Sequence, residues 1–470
     1  MFLVGCFGSL MSSWSSRSDA SVGCFWSFAG NRIRLKTGLG YESPFFVWSK
    51  WIVHRTIWVI VATAFVLHFS SRAGSAAEFY DASVETRAVV KDLESDYGAS
   101  GLGKQDDSAK LQQAIDFVSS HGGGVVTIPK GRYLLADVHV KSNVHVEIDK
   151  DVVITPMIVR LNKSVAIFKL GSEDEAVRNV SVKGVGGKYT VNMPKHEPGV
   201  MLVSFSNVRN FMVSNCHVND QLTKFASLQF GPSGLKRGQR AVPTSGTVQN
   251  VSVAGAHYGY GVVQVQAAKS VLFENLSGVG GVSLRLESGY SLMNDVQYGG
   301  IDNIVGRNIQ CTDGNAAVMI SPHSMENGVF HMDGITSKGC GIGVRIEGGF
   351  ISKKQKVDGL PIGTFAKGSS VKNVFATFGT NGQLKSKHFK YMPVELLGQV
   401  QPREQSEDGE SVRGPSIAAV VYAANYEVHI ENVTAKGFQH VPSVMTEKDA
   451  REVSASKKPK KGAANRGNAN

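Results

Sequence analysis

Short segments in which apolar and polar residues alternate recur along most of the chain. Many begin with Asn or another small polar residue, as in NVHVEI (143–148), NVSVAG (250–255) and NVTAKG (432–437), and several end at Gly. Alternation with a period of two is typical of β-strands. The segments recur at intervals of roughly 20 to 55 residues, which is typical of a solenoid with loops inserted in some turns. We therefore predict an all-β stack of coils in which the Asn side chains of successive turns form ladders.

One segment near the start of this region departs from the alternation. In DDSAKLQQAIDFVSSHGGG (106–124), Asp107 is placed as an N-cap and glycines follow the last apolar residue. The apolar residues that share one helix face are Leu111, Ala114, Ile115 and Val118. A helix that covers the first coil of a solenoid shields its edge from unwanted pairing. The pattern thus predicts an N-terminal capping helix.

Four strand-like segments can be aligned against one another: VVQVQA (262–267), SLRLES (283–288), AVMISP (317–322) and GVRIEG (343–348). Alternation points their aliphatic residues inward and the residues between them outward. The outward columns are Gln264, Arg285, Met319 and Arg345; then Gln266, Glu287, Ser321 and Glu347; then Ala268, Gly289, His323 and Gly349. This face is polar and convergent, as a polysaccharide cleft requires.

Composition and charge change this picture little. Gly is 52 of 470 residues and Pro only 14, which favours tight turns between strands over a disordered chain. The net charge of +11 is concentrated at the two ends: residues 1–76 carry seven basic and two acidic side chains, and the last eighteen carry five basic side chains and no acid. Because the body between them is close to neutral, the overall charge does not favour a nucleic-acid partner.

The N-terminal part contains an uncharged apolar run, IWVIVATAFVLHF (57–69), between basic residues and a small-residue stretch. This arrangement is typical of a secretory signal peptide, and thirteen residues fall short of the ~20 that span a bilayer as a helix. We predict a signal peptide over 49–77, preceded by a misassigned upstream extension (1–48), with an uncleaved anchor as the alternative. The β-helix is predicted over 78–450 and a basic disordered tail over 451–470.

Two cysteines are separated by about one coil. Cys311 and Cys340 lie 29 residues apart, so they could sit side by side and form a disulfide in an oxidising compartment. The alternative is a pair of buried free thiols.

Several longer stretches carry a more specific likeness. KSNVHVEIDKDVVI, FSNVRNFMVSN, HYGYGVVQVQAAKSVLFENLSGVGGVSLRLES, GNAAVMISPHSMENG and RGPSIAAV lie between about Ser142 and Ala419. Together they resemble the iota-carrageenase family of glycoside hydrolases. The resemblance implies a right-handed, pectin-lyase-like parallel β-helix. It also implies a secreted, endo-acting enzyme that hydrolyses a sulfated galactan such as iota-carrageenan with inversion.

The resemblance also implies site residues. Glu287, in LRLESG (284–289), matches the glutamate that serves as general acid, and this role requires a raised pKa. Burial or a neighbouring carboxylate would raise the pKa of Glu287, whereas nearby Arg285 would lower it unless a substrate sulfate occupies the guanidinium. His323 matches the family histidine and Gln264 the glutamine of the GYG-x-x-Q stretch. The family's second carboxylate, an aspartate two residues after the acid, falls on Gly289.

Glycine cannot activate water, so another base is needed. Glu347, two strands from Glu287 in the same column, is separated from it by about 9–10 Å, close to the ~6.5–9.5 Å of an inverting pair. His323 is the second candidate. A polysaccharide-binding β-helix without catalytic activity is the alternative function. A lyase is a third alternative, but we find no cluster of acidic Ca²⁺ ligands in the sequence.

Further expectations concern the substrate. Gln264 is predicted to contact the substrate. Basic side chains are predicted to contact sulfate, namely Arg285, Arg345, Lys353, Lys354, Lys385 and Lys387. Tyr258, Tyr260 and Tyr290 are candidates for stacking on sugar rings. Short loops where the family has cleft-covering insertions predict an open groove. We expect no required cofactor, although a structural Ca²⁺ ion could bind. We also expect a monomer that binds a carrageenan-like polymer and neither nucleic acid nor, after signal cleavage, a membrane.

Overall fold

The alternating segments are β-strands in a computed structural model of the protein, which describes residues 79–158, 162–196 and 198–456. Twenty-three strands form one sheet, and each of its pairings is parallel. Two short pairs lie outside it, of which one is parallel and the other antiparallel. The predicted signal peptide and upstream extension lie outside the described residues, as does the tail from 457 onward.

The strands are numbered in chain order. They are β1 (Val89–Asp92), β2 (Leu102–Asp106), β3 (Gly124–Ile128), β4 (Arg132–Leu135), β5 (Val138–Val140), β6 (Val144–Asp149), β7 (Val153–Pro156), β8 (Val165–Leu170), β9 (Val177–Val185), β10 (Tyr189–Met193), β11 (Val200–Phe205), β12 (Val208–Asp220), β13 (Leu228–Phe230), β14 (Thr244–Val265), β15 (Ala268–Glu287), β16 (Ile301–Thr312), β17 (Ala316–Ser321), β18 (Glu326–Asn327), β19 (Phe330–Lys338), β20 (Ile342–Glu347), β21 (Thr364–Phe365), β22 (Ser370–Thr377), β23 (Gly382–Leu384), β24 (Val412–Gly414), β25 (Ala418–Ala423), β26 (His429–Lys436) and β27 (Val444–Thr446). The helices are α1 (Ser108–Ser120), α2 (Ser291–Val296) and α3 (Glu447–Ser456), with 3₁₀ turns at Ala82–Val84, Ser386–His388, Val394–Gln399 and Arg403–Gln405.

Strand pairing follows three stacks, because each coil of the chain contributes a segment to each stack. The first stack begins β1–β3–β6–β9 and the second β2–β4–β7–β10; both continue through the two halves of β12, β14, β15, β16, β19, β22 and β26. The third stack runs β5–β8–β11–β13, then through the ends of β14 and β15 to β17, β20, β25 and β27. The predicted right-handed parallel β-helix is confirmed.

The inward side chains form one continuous core. Val, Ile and Leu dominate it, and aromatic rings stack between coils: the rings of Phe205 and Phe230 lie 3.9 Å apart and nearly parallel, and Phe273 meets Phe230 edge-on at 5.5 Å. These side chains hold the three stacks together and fix which residues of each strand point outward.

The predicted Asn ladders lie at the bends between strands. Their backbones are left-handed, with φ between 50° and 62°, a conformation that Asn adopts more readily than most residues. Each Nδ2 donates to the Oδ1 of the preceding Asn at 2.7–3.0 Å in two ladders, Asn143–Asn179–Asn210 and Asn215–Asn250–Asn275–Asn308. These asparagines are structural.

Helix α1 covers the first coil as predicted, and the four apolar residues expected on its inner face are buried. The expected cap differs, because Asp107 makes no side-chain capping bond; Asp106 instead accepts from the Ser108 backbone N–H at 2.9 Å. Residues 451–456, predicted to be disordered, belong to α3. Within the described ranges, we find no helix both long and apolar enough to cross a membrane.

Cys311 and Cys340 are buried free thiols, so of the two alternatives the structure has the reduced pair and not the disulfide. The two thiols are hydrogen-bonded neighbours, and this contact and burial raise the pKa of Cys311 well above its usual value. Each sulfur also lies near a backbone carbonyl, Gly280 for Cys311 and Lys338 for Cys340, at 3.9 Å. The reduced pair therefore has hydrogen-bond partners of its own.

Candidate active site

The outward face of the third stack carries the predicted columns in the predicted register. Gln264 on β14 pairs with Arg285 on β15, which pairs with Met319 on β17, which pairs with Arg345 on β20. Glu287 lies opposite Ser321 on β17, and the same register continued to β20 places Glu347 two strands from Glu287.

Three side chains converge on the Glu287 carboxylate. Gln264 Nε2 donates to Oε2 at 3.0 Å, and Arg285 Nη2 lies 2.6 Å from the same oxygen. His323 Nε2 lies 3.3 Å from Oε1. The side chain of Glu287 is 13% exposed, so one edge of the carboxylate faces the cleft.

These neighbours set the charge of Glu287. Burial raises its pKa, but the Arg285 guanidinium and the His323 hydrogen bond outweigh burial and hold the pKa of Glu287 well below its usual range. The expectation of a raised pKa is thus wrong for the free protein. Engagement of Arg285 by another anionic group would remove the main cause that lowers this pKa.

The space beside Gly289 is filled by histidine. A Cβ atom at Gly289 would lie 2.9 Å from His323 Nε2, closer than real Cβ contacts allow. The imidazole also packs on the Phe350 ring at 4.4 Å, and its Nδ1 is buried without a hydrogen-bond partner among the described residues. A side chain at 289 would therefore require the imidazole of His323 to shift.

Glu347 is held by Arg345, whose role differs from the predicted one. Arg345 Nε lies 3.2 Å from Glu347 Oε1, in an ion pair without an aligned hydrogen bond. Its Nη1 donates to Asn315 Oδ1 at 3.0 Å and to His388 Nε2 at 2.7 Å. Because Arg345 is only 2% exposed, it cannot receive a substrate sulfate. The prediction of a sulfate contact is wrong here, and Arg345 instead orients Glu347.

The histidine that accepts from Arg345 is uncharged. Burial, together with Arg345 and nearby lysines, holds the pKa of His388 well below its usual value. The Tyr258 hydroxyl lies 3.2 Å from the same Nε2. Tyr258 is 5% exposed, so the prediction that it stacks on a sugar is wrong. Its ring is a wall of the buried Arg345 pocket.

A segment after β22 lies across this part of the face. Lys385 Nζ lies 4.7 Å from the Tyr258 ring centroid and 2.5 Å from Glu410 Oε2. Asp408 Oδ2 accepts from the Tyr258 backbone N–H at 3.3 Å, and Glu410 lies 3.7 Å from Lys224. The groove is thus covered at this end, which corrects the prediction of an open cleft. Lys385 is engaged in fixing the cover.

Another predicted stacking residue lies at the edge of the face. Tyr260 is partly exposed and packs near Phe225 and His257, with ring centroids 6.0 and 5.5 Å away. Its contact with a sugar stays a prediction.

Both carboxylates line one cavity of about 360 Å³. Other residues that line it include Ser321, His323, Phe350, Lys387, Lys390 and Tyr391. The sequence did not predict Phe350, Lys390 and Tyr391, because they lie outside the alternating strands. Their closeness along the chain to Glu347 and Lys387 is the one signal that could have indicated them. Two strand spacings separate Glu287 from Glu347, or about 9–10 Å. Such an arrangement can protonate a leaving oxygen on one side of a bond and activate water on the other.

Metal ligands do not cluster at this site. In residues 79–158, 162–196 and 198–456, no group of three or more His, Cys, Asp and Glu is placed to hold a metal ion. Whether a Ca²⁺ ion binds elsewhere stays a prediction.

Comparison with known proteins places this site in context. No protein-family model matches the chain. It is 32% identical over 431 residues to an iota-carrageenase of Zobellia galactanivorans, covering 78% of this chain and 87% of that protein, and 35% identical over 277 residues to an iota-carrageenase of Alteromonas macleodii, covering 58% and 56%.

Comparison with solved structures leads to the same family. A 1,3-α-1,4-β-D-galactose-4-sulfate-3,6-anhydro-D-galactose-2-sulfate 4-galactohydrolase superposes with a TM-score of 0.72 at 32% identity, covering 79% of this chain and 92% of that one. An iota-carrageenase complexed to iota-carrageenan fragments superposes with the same TM-score at 30% identity, covering 79% and 93%. The shared sequence over most of both chains, together with the shared β-helix, shows that the chain belongs to the iota-carrageenase family.

Proposed function

We propose that this protein is a secreted, endo-acting hydrolase that cleaves a sulfated galactan such as iota-carrageenan, with Glu287 as general acid. The observation that carries the proposal is the placement of Glu287 and Glu347 in one cavity of the third stack, two strands apart. That separation suits an inverting mechanism, in which a water molecule lies between the base and the sugar.

Glu347 is our candidate for the base. It is 26% exposed and lines the cavity, while the buried Arg345 fixes its position from behind. His323 is the runner-up. Its Nε2 contacts Glu287, so it is better placed to orient the acid than to activate a water across the cleft.

The proton on Glu287 depends on Arg285. In the free protein, Arg285 lies against the carboxylate and favours its ionised form. A substrate sulfate that binds Arg285 would supply an alternative anion, since a guanidinium pairs well with tetrahedral oxyanions. Substrate binding would thereby raise the pKa of Glu287 and prepare it as an acid.

The test is reducing-end release by the purified protein from iota-, kappa- and lambda-carrageenan. We expect release from a sulfated galactan, and a loss of about 10²–10⁴-fold in Glu287→Gln, the usual contribution of general acid–base catalysis. Glu431→Gln is the matched control, because Glu431 is an exposed, lysine-paired glutamate on the first stack. Following the product anomer by NMR tests inversion. Equal release by Glu287→Gln and wild type would rule out Glu287 as the acid.

One observation favours a second candidate function. The family's second carboxylate is absent because glycine stands at position 289, and the imidazole of His323 lies against that position. A protein that binds the polymer without cleaving it would show this loss. Binding without release from any of the three polymers would support it.

A further inference from the structure

A groove runs along the corner between the third and first stacks, away from Glu287. Its volume is about 590 Å³, and it crosses the starts of β9, β12 and β14. Arg178 on β9 and Arg209 on β12 are in-register neighbours at its base, so their Cα atoms are about 4.8 Å apart. Both side chains are exposed.

The two arginines are not neutralised. Like charges directly opposite on neighbouring strands repel, and neither guanidinium forms an ion pair with any other described residue. Two strands further along the same line, Lys269 lies opposite Asp302, with 3.8 Å between Nζ and Oδ2. Lys269 is thus paired with an acid, whereas Arg178 and Arg209 are neighbours without such a partner in the part of the chain that the structure describes.

The loop that overhangs this groove is also basic. Residues 231–243, the basic loop, connect β13 to β14 and are closed by paired backbone hydrogen bonds between Ser233 and Ala241. Gln239 and Val242 of the basic loop line the corner groove. Arg240 lies over the Tyr298 ring at 5.4 Å.

The other side of the basic loop leads to the catalytic face. Lys236 and Arg237 line a second hollow of about 380 Å³ with Tyr290, which is 42% exposed and follows Glu287 by three residues. Glu173 is the one acid that lines this hollow. Basic side chains thus continue from the neighbourhood of Glu287, along the loop, to Arg178 and Arg209.

We propose that the corner groove lined by Arg178 and Arg209 binds a sulfate-bearing stretch of the galactan at a distance from the catalytic cleft. This proposal rests on the proposed function, because it assumes the same polymer. Paired guanidiniums suit sulfate oxygens, since each presents a planar fork of donors. The neutral side chains of Asn207, Gln239 and Thr244 in the groove offer further polar contacts to sugar hydroxyls.

The test measures retention of the full chain in gels that contain iota-carrageenan, in a Glu287→Gln background so that the polymer is not digested. Arg178→Ala/Arg209→Ala is compared with Lys104→Ala/Arg132→Ala, which removes the same charge from two exposed residues of earlier coils. We expect about tenfold weaker retention for the groove variant only, as the loss of a charge-assisted hydrogen bond implies. Gels of desulfated polymer should abolish the difference.

Equal retention of the groove and control variants, or a difference that persists on desulfated polymer, overturns the proposal. If the double variant unfolds, Arg209→Gln alone should weaken retention roughly threefold, and no change would overturn the proposal equally. Retention requires no catalysis. Failure of the proposed hydrolysis would therefore be seen separately, as absent reducing ends from the wild-type protein.

Discussion

The Asn ladders and the catalytic face use the same strand register in opposite ways. At the bends, neighbouring coils repeat one residue, so Asn250 donates to Asn215 and accepts from Asn275. On the outer face of the third stack, neighbouring strands carry different residues. Glu287 there receives contacts from Gln264 on one side and from His323 on the other.

The difference shows how a solenoid separates stability from chemistry. A repeated asparagine donates a side-chain hydrogen bond to one copy and accepts one from the next, so it needs no other partner in the chain. A varied column leaves charges that must be balanced by particular partners, as Arg345 is by Glu347, Asn315 and His388. Substitutions should therefore affect folding at the ladders and activity at the face.

The largest expected effect is on the face. Glu347→Gln should reduce kcat about 10²–10⁴-fold while the melting temperature changes little, because the amide cannot accept the proton of water. Glu431→Gln serves again as the control. His323→Asn is measured in parallel by reducing-end release. Full activity of Glu347→Gln together with no activity of His323→Asn would show that the base is the histidine and not Glu347.

The ladders should respond in stability instead. Asn250→Ala removes two side-chain hydrogen bonds and places a Cβ-bearing residue without side-chain support at φ 58°. We expect the free energy of unfolding to fall by about 3–4 kcal/mol, from roughly 1 kcal/mol for each of the two hydrogen bonds and 1–2 kcal/mol for the left-handed backbone. Denaturant unfolding measures it.

Asn250→Gly is the matched variant for that experiment. Glycine adopts the left-handed backbone without strain, so this variant should lose the hydrogen bonds alone and be the more stable of the two. If the two variants lose the same free energy of unfolding, the left-handed backbone at position 250 does not contribute to the effect of the alanine.

A smaller effect is expected at Gly289, where a substitution can change both stability and activity. Gly289→Asp should cost about 1–3 kcal/mol of stability through overpacking against His323, and should not increase hydrolysis. The double variant Gly289→Asp/His323→Gly lacks the imidazole, and glycine suits the backbone at position 323, whose φ is 50°. Most of the loss in stability should therefore disappear. Additive costs in the double variant would show that the two side chains do not compete for space.

The smallest expected effect is a displacement of the pH profile. Arg285 holds the pKa of Glu287 down, so Arg285→Gln should raise it. A general acid is active only while protonated, and kcat/KM follows the free enzyme. The limb on which kcat/KM falls with rising pH should therefore move upward by about one to two pH units. Arg307→Gln, at an exposed site on β16, should leave the limb in place.

Alternation alone predicted the register of the third stack, because inward and outward positions are fixed once the strands are aligned. The capping helix and the Asn ladders were predicted for the same reason, that local pattern determines them. The burial of Tyr258 and Arg345 was not predictable. It depends on the segment around Lys385 and Glu410, whose sequence has no periodicity to show where it lies.

The sequence left the charge of Glu287 undecided for a related reason. Burial and a neighbouring arginine act on it in opposite directions, and only the distances decide which prevails. A sequence places Arg285 beside Glu287 on the same face but cannot say that they lie 2.6 Å apart.

The packing of His323 against Gly289 bears on how this lineage can evolve. The atom that a Cβ at 289 would meet is the distal Nε2 of a side chain, and the family pattern combines a histidine at 323 with an aspartate at 289. A single substitution at 289, accompanied by a shift of the imidazole, could therefore restore the second carboxylate. The glycine thus leaves the return to the family arrangement open, while His323 keeps its contact with Glu287.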